Sequence, residues 1–254
     1  MCKKDLKQLF SQKPLLMKIA LIGYGRMGRE VEKAARHRGH TISLIIDQDN
    51  LSDLNTEKLR SVDVAIEFTT PDTAFDNICS CLSAGLPVVS GTTGWLDKYD
   101  EAASLALKKG AAFLYASNFS LGVNILFNLN RRLAGIMNGI NEYSVEIEES
   151  HHTKKLDAPS GTAIKLAEDI LSGCNRYQKW TGEDSASKEN IGIRSVREGD
   201  IPGTHKIRWT SGVDSISLEH EAFSREGFAV GAVFAAEYIM SRKGVYSISD
   251  MLGF

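Results

Sequence analysis

Sixteen consecutive residues gather two histidines, two lysines and two glutamates around what reads as the start of a helix: Glu148-Glu149-Ser150-His151-His152-Thr153-Lys154-Lys155-Leu156-Asp157-Ala158-Pro159-Ser160-Gly161-Thr162-Ala163. A Pro-Ser-Gly-Thr start leaves the amides of Gly161 and Thr162 without partners inside the helix, which makes an anion site. Imidazole, ammonium and anion cradle together suit a small acidic substrate that is both held and protonated. His151 and His152 are adjacent, so in an extended segment they point to opposite sides and at most one faces a given reacting atom. Lysines nearby lower the proton affinity of an imidazole and a bound dianion raises it again, which suits a proton donor working near neutral pH. Two plainer readings stand beside this one. The histidine pair is surface polarity, or Glu148, Glu149, His151 and His152 are metal ligands. Neither an HExxH pattern nor a cysteine-histidine array accompanies them, and Lys154 and Lys155 would repel a cation, so no metal is expected. Asp157 or Ser160 is expected to cap the helix. Capping alone explains Pro159 and Ser160, but not the histidines and lysines directly before them.

Such a stretch needs elements to position it and a reactant to work with. Residues 17–22 form a short apolar run, followed by Gly23-Tyr24-Gly25-Arg26-Met27-Gly28 and a helical pattern from Arg26 to His37. A β-rich run over 41–46 then ends in Asp47. GxGxxG is a weak signal by itself, but between a strand and a helix, with an acid nineteen residues beyond Gly28, it reads as a dinucleotide-binding turn. Gly23 serves the tight turn, Gly25 the approach of the pyrophosphate and Gly28 the packing of helix on strand. Asp47 is placed for the adenosine ribose.

The alternation continues with a strand over 62–68, a helix over 71–84, a strand over 87–90, a helix over 97–109 and a strand over 112–116. This spacing predicts a doubly wound parallel sheet that binds its ligand at the carboxyl ends of the strands. Thr69-Thr70, Gly91-Thr92-Thr93 and Ser117-Asn118-Phe119-Ser120 fall at such ends, where they either touch the nicotinamide half of a cofactor or serve as turns. The style then changes: a helix over 119–137, a period-2 strand over 144–148, the helix from Pro159 to Leu171, and strands over 194–197, 205–210 and 215–220. Residues 175–189 read as a polar loop and 225–241 as a last helix. The expected architecture is α/β, a Rossmann-type doubly wound parallel sheet plus a smaller α+β substrate domain with a mixed open sheet. Residues 1–16 are an appendage, with Met17 a candidate functional start. Residues 17–121, completed by 226–254, are the dinucleotide-binding domain, and 122–225 the substrate-binding and oligomerisation domain.

The 254 residues are 43% hydrophobic and 24% charged, enough for a sizeable core. A net charge of −2 excludes a general basic field for nucleic acid or an anionic membrane. Any anion site must therefore be local. Cys2, Cys79, Cys81 and Cys174 form neither CxxC pairs nor a disulfide framework, and no apolar run approaches the ~20 residues that span a bilayer. A cytoplasmic location is expected.

The residues already quoted, with Arg197-Glu198-Gly199-Asp200-Ile201-Pro202-Gly203-Thr204-His205 and Phe228-Ala229-Val230-Gly231-Ala232, resemble 4-hydroxy-tetrahydrodipicolinate reductases (dihydrodipicolinate reductases) from Met17 onward. The HHxxKxDAPSGTA segment is the most specific part. The resemblance implies reduction of 4-hydroxy-2,3,4,5-tetrahydrodipicolinate to tetrahydrodipicolinate with loss of water, in the diaminopimelate route to lysine. It gives His151 the place of the catalytic acid/base and Lys155 that of a second proton-handling residue. His152, Ser160, Gly161 and Thr162 fall at substrate-binding positions, and Gly23 to Gly28, Asp47, Gly91 to Thr93 and Ser117 to Ser120 at cofactor contacts. It also implies a homotetramer, which apolar strand positions such as Ile207, Trp209, Val213 and Ile216 would suit. The glycine loop is one residue shorter than in many relatives. Gln48 stands where relatives that take a 2′-phosphate often place a cation. NADH is therefore favoured over NADPH, with dual use open because the segment after Asp47 is short. The rival readings are another two-domain NAD-dependent oxidoreductase and a non-catalytic NAD-binding regulatory protein.

Overall fold

The computed structural model describes residues 15–182 and 189–254. Contacts divide the chain into two compact units, one formed by the residues up to Leu121 together with Glu226–Phe254, the other by Gly122–Arg225.

In the first unit, Lys18–Ile22 (β1) buries every residue after its lysine, as a strand covered on both faces must. Ile19 and Leu21 enter the core on one face, Ala20 and Ile22 the core on the other. Arg26–His37 (α1), Thr41–Ile46 (β2), Val64–Glu67 (β3), Pro71–Ser83 (α2), Val88–Ser90 (β4), Tyr99–Lys109 (α3) and Ala112–Tyr115 (β5) follow. All pairings in this sheet are parallel. Val31, Ala34 and Ala35 of α1 pack on one face, and Ala74, Ile78 and Leu82 of α2 with Ala102 and Ala106 of α3 on the other. The chain re-enters this unit at Glu226–Ile239 (α4), a helix buried over most of its surface. It ends with strand Gly244–Tyr246 (β6), paired to β5, and the short helix Ile248–Leu252. The strand order is β6-β5-β4-β3-β1-β2. Its reversal lies between β1 and β3, the point where such sheets open a ligand crevice. The sixth strand, the short helix Ile248–Leu252 and the short helical turns Gln48–Asp53 and Thr56–Leu59 were not expected, since segments of three to six residues leave too little periodicity to read.

The second unit is a five-stranded mixed sheet with helices Leu121–Met137 (α5) and Gly161–Gly173 (α6). The strands are Ser144–His151 (β7), Lys179–Gly182 (β8), Asn190–Arg197 (β9), Gly203–Thr210 (β10) and Ser215–Ala222 (β11), in the order β11-β10-β7-β9-β8. Leu126, Ala134 and Met137 of α5 and Ala163, Leu166 and Ile170 of α6 share one core with Val145, Ile147, Ile193, Ile207 and Trp209. Glu148 pairs with Arg194 at 3.3 Å and Lys206 with Glu219 at 3.1 Å, side chains of the alternate strand positions.

Three expectations change here. The period-2 strand runs on past Glu148 to His151, because its pairing with β9 and β10 continues. The segment read as a loop contains β8, which owes its conformation to parallel pairing with β9 rather than to its own polar residues. Residues 183–188 of that segment, and 1–14 of the expected appendage, lie outside the described residues. Ile207 and Trp209 are fully buried under the unit's own helices, so of the apolar positions assigned to assembly only Val213, 91% exposed, and Ile216, 40%, face outward.

Candidate active site

In the first unit the expected cofactor residues line the carboxyl edge of the sheet. Gly23 has φ +89°, and a Cβ there would meet the Phe68 carbonyl oxygen at 2.0 Å. The loops after β1 and β3 therefore touch at the point of strand reversal, and only glycine fits between them. A Cβ on Gly28 would meet the Gly23 oxygen at 2.3 Å. One on Gly25 would meet nothing within 4 Å. Gly25 opens α1 with no side-chain cap, so first-turn amides stay available beside open space, a fit for a pyrophosphate. Arg26 is exposed and Met27 half-buried at the same turn. Tyr24 is bound through its hydroxyl to Glu32, with the Arg29 guanidinium 5.0 Å over its ring. Asp47 ends β2 with an exposed side chain, and its amide is fixed by Asn50 Oδ1 at 2.8 Å.

Beneath these loops lies a residue the sequence reading passed over. Glu67, fully buried at the end of β3, accepts hydrogen bonds from the Thr69 amide at 3.0 Å, Ser90 Oγ at 2.6 Å and Thr92 Oγ1 at 2.8 Å. The Thr92 hydroxyl in turn accepts from the Thr69 amide at 2.7 Å. One carboxylate thus ties the loops after β3 and β4 together. Gly91 packs its Cα against the Phe68 ring, Thr93 is exposed and Thr92 buried. Ser117 is exposed and Asn118 half-buried. Phe119 is a core residue, edge-on to Phe68 at 5.8 Å, and its carbonyl packs against Gly231, so its side chain is not presented to a ligand. The Ser120 amide donates to Asn118 Oδ1 at 2.9 Å.

In the second unit, strand register builds the chemical cluster. Continuing the alternation of Val145 and Ile147 puts Glu149 and His151 on the buried face of β7. Glu149 lies directly across from His205 on β10, and His151 across from Arg197 on β9. Glu149 is therefore a fully buried carboxylate, with 0% exposure. Its Oε2 meets His151 Nδ1, its Oε1 accepts from Arg197 at 2.7 Å, and the Ser160 amide approaches at 3.4 Å. Burial pushes this carboxyl up, but hydrogen bonds from His151, Arg197 and Ser195 outweigh it and bring the pKa down to about 2. Glu148, by contrast, is outward and paired with Arg194.

Ser160, rather than Asp157, caps α6, accepting from the Ala163 amide at 3.3 Å. Its hydroxyl also meets His205 Nε2 at 3.1 Å. The His205 and His151 rings stand edge to face at 5.1 Å. Burial, helped by His151, lowers the His205 pKa to about 3, so that ring is neutral at pH 7. Gly203 has φ +155°, and a Cβ on it would press His151 Nε2 at 2.9 Å. The peptide before Pro159 is cis. Lys155 pairs with Asp157 at 2.8 Å, which holds the Asp157 carboxyl below its usual range. The Asp157 carbonyl accepts from Arg197 at 2.6 Å. Lys154 is exposed, and His152 anchors its amide to the Ile201 carbonyl at 2.9 Å. Gly161 has nothing within 4 Å of a virtual Cβ, so the first turn of α6 is open. Of the sequence-derived residues, His151 and Ser160 thus meet in one cluster, and Lys155 joins it through Asp157 and Arg197.

Glu149, His151 and His205 also bring three potential ligand atoms within 4.8 Å of one another. Arg197 already occupies one oxygen of the carboxylate and Ser160 the Nε2 of His205. A guanidinium so close opposes a cation; Glu149 bonds His151, while His205 bonds Ser160 and meets His151 only ring to ring.

Comparison with known proteins settles what this arrangement belongs to. Residues 17–119 match the family described as dihydrodipicolinate reductase, N-terminus, and residues 122–252 that described as dihydrodipicolinate reductase, C-terminus. The chain belongs to the dihydrodipicolinate reductase family. It is 49% identical to the 4-hydroxy-tetrahydrodipicolinate reductase of Christiangramia forsetii over 93% of this chain and 98% of that protein. The enzyme of the same name from Lawsonia intracellularis is 34% identical over 93% and 99%. A solved dipicolinate-bound dihydrodipicolinate reductase from Paenisporosarcina sp. TG-14 superposes with a TM-score of 0.78 at 26% identity, over 92% of this chain and 98% of that one. The family's activity is NAD(P)H-dependent reduction in the diaminopimelate route to lysine, and this chain is an oxidoreductase of that kind.

Proposed function

We propose that His151 donates the proton and Lys155 assists in the reduction of 4-hydroxy-2,3,4,5-tetrahydrodipicolinate, with water leaving the ring. The observation that carries this reading is the linkage of Ser160 to His151: the residue that opens α6 is bonded to the same Glu149 that holds the imidazole. An anion cradle and a proton donor are thereby fixed in one cluster. The amides of Gly161 and Thr162 would receive a substrate carboxylate, with His152 and Ser160 beside them. Lys155 supplies a cation to orient the ring and help move the proton.

The cofactor is a nicotinamide dinucleotide, whose reduced ring supplies the hydride. Gly23 to Gly28 would take its pyrophosphate, Asp47 its adenosine ribose, and Gly91, Thr92, Thr93 and Ser117 to Ser120 its nicotinamide half. NADH is the favoured form, because exposed Asp47 is followed by Gln48 and Asp49, and a 2′-phosphate there would meet negative charge. The enzyme works in the cytoplasm as a homotetramer, a reading that exposed Val213 and Ile216 support. A coupled assay with freshly generated hydroxy-tetrahydrodipicolinate tests the activity. Turnover on a semialdehyde or sugar instead would favour a different oxidoreductase, and cofactor binding without turnover a regulatory protein. Gel filtration at the monomer volume would contradict assembly.

A further inference from the structure

Glu149 has two oxygens, and each is assigned. Arg197 and the Ser160 amide take Oε1, while Oε2 faces Nδ1 of His151. The carboxylate is ionised well below neutral pH, and an ionised carboxylate only accepts hydrogen bonds. The ring nitrogen facing it must therefore carry a proton whether the imidazole is neutral or charged.

We propose that Glu149, clamped by Arg197, is a positioning residue that fixes the Nδ1–H tautomer of His151, so that Nε2 alone exchanges the proton used in the reaction. The proposal rests on the reading of His151 as the acid and adds what aims it. Arg197 gives the arrangement its balance. A lone buried carboxylate would hold the imidazolium proton too firmly, whereas a guanidinium on its other oxygen draws off part of that field. Arg197 also bonds the carbonyls of Val196 and Asp157, so the clamp cannot swing away. The ionisable groups around His151 are Glu149 on its own strand, Arg197 on β9, His205 on β10, and Lys155 with Asp157 on the loop after β7. A purely structural Arg–Glu pair would not need its second oxygen on the histidine.

The decisive measurement is ¹⁵N NMR of histidine-labelled, NADH-bound enzyme from about pH 5 to 9. His151 should keep Nδ1 protonated throughout, with only Nε2 titrating. A neutral Nε2–H tautomer in the wild type overturns the proposal, whatever any variant does. Glu149→Gln removes the charge that favours the imidazolium. It should move the basic limb of kcat/KM to lower pH, with a loss of ~10²-fold at pH 7. Glu149→Asp should return the limb toward its wild-type position. A uniform loss at every pH, with the profile unmoved in both variants, would mean packing only. If His151→Gln keeps its kcat, the acid reading falls and the catalytic part of the proposal with it; the tautomer spectrum separates that failure from an error about Glu149.

Discussion

Arg38 and Glu237, 199 residues apart in sequence, form a two-pronged ion pair, Nε to Oε1 at 2.7 Å and Nη2 to Oε2 at 2.9 Å. His40 Nε2 reaches the same Oε1 at 2.7 Å, and the Arg38 guanidinium lies 4.1 Å over the Phe234 ring. This clamp fastens α4 to the turn between α1 and β2. Its members are mostly shielded from water, so removing one partner leaves the others unpaired. Glu237→Ala should lower stability by about 2–3 kcal/mol, with Glu237→Gln losing less. Urea unfolding followed by tryptophan fluorescence measures both, and an unchanged midpoint would show the clamp to be ornamental.

Acid should destabilise this protein in two stages. His205 has a folded pKa of about 3, below the ~6.5 of an unfolded histidine. The unfolded chain then binds more protons, so stability falls as pH drops below ~6.5, by at most about 1.4 kcal/mol per pH unit. Glu149, near 2, adds a second loss that begins below ~4.5. His205→Gln should shrink the first stage, to which His220, also lowered by burial, contributes, and leave the second. Urea midpoints at several pH values separate them; a wild-type curve flat down to pH ~4.5 would refute the His205 assignment.

Glycine substitutions should divide by what a methyl group meets. Gly23→Ala would drive Cβ to 2.0 Å from the Phe68 carbonyl and should cost several kcal/mol or abolish folding, at roughly the scale of severe backbone strain. Gly25→Ala meets no protein atom. It should leave thermal stability near wild type and raise the KM for NADH about tenfold or more, a loss on the order of 1.4 kcal/mol in cofactor binding. A Gly25→Ala enzyme with unchanged cofactor affinity would move the pyrophosphate elsewhere.

For the chemistry, His151→Gln should lower kcat ~10²–10⁴-fold while NADH affinity holds. Lys155→Ala should damage both kcat and KM, since the proposed mechanism has one amine both hold and protonate. Its pairing with Asp157 makes Asp157→Asn a milder variant that frees the lysine. Steady-state kinetics with titrated cofactor distinguish these patterns.

Cofactor choice is the last expectation. With Asp47 exposed and no basic residue following it, kcat/KM should favour NADH. Gln48→Arg should shift the ratio toward NADPH by about tenfold, the scale of one added charge contact to a phosphate. A wild-type advantage for NADPH would remove the argument.

What could be read from sequence follows from where the information lies. The β1–α1–β2 segment was legible to within one residue because local spacing dictates it: an apolar run, glycines at a turn, then a helical stripe. The opening of α6 was legible to within two residues, with Ser160 one of the two caps expected. Glu149 is hard to place because the period-2 pattern is legible only to Glu148, one residue short of it. Its parity with Val145 and Ile147 would have placed it inward. Arg197 and His205 join the site only through the register of β7 with β9 and β10, a non-local relation that no spacing along the chain records. β8 was hidden for the same reason.

The late return of α4 has a consequence during synthesis. Ala229, Ala232, Val233, Ala236 and Ile239 cover the face of the first sheet that holds Ile19, Leu21, Ile66 and Leu114. On the ribosome, the part of that face that α1 does not cover stays exposed while the whole second unit emerges, roughly 5–20 s at typical elongation rates. The nascent chain is thus a natural client for holding chaperones until its last helix arrives.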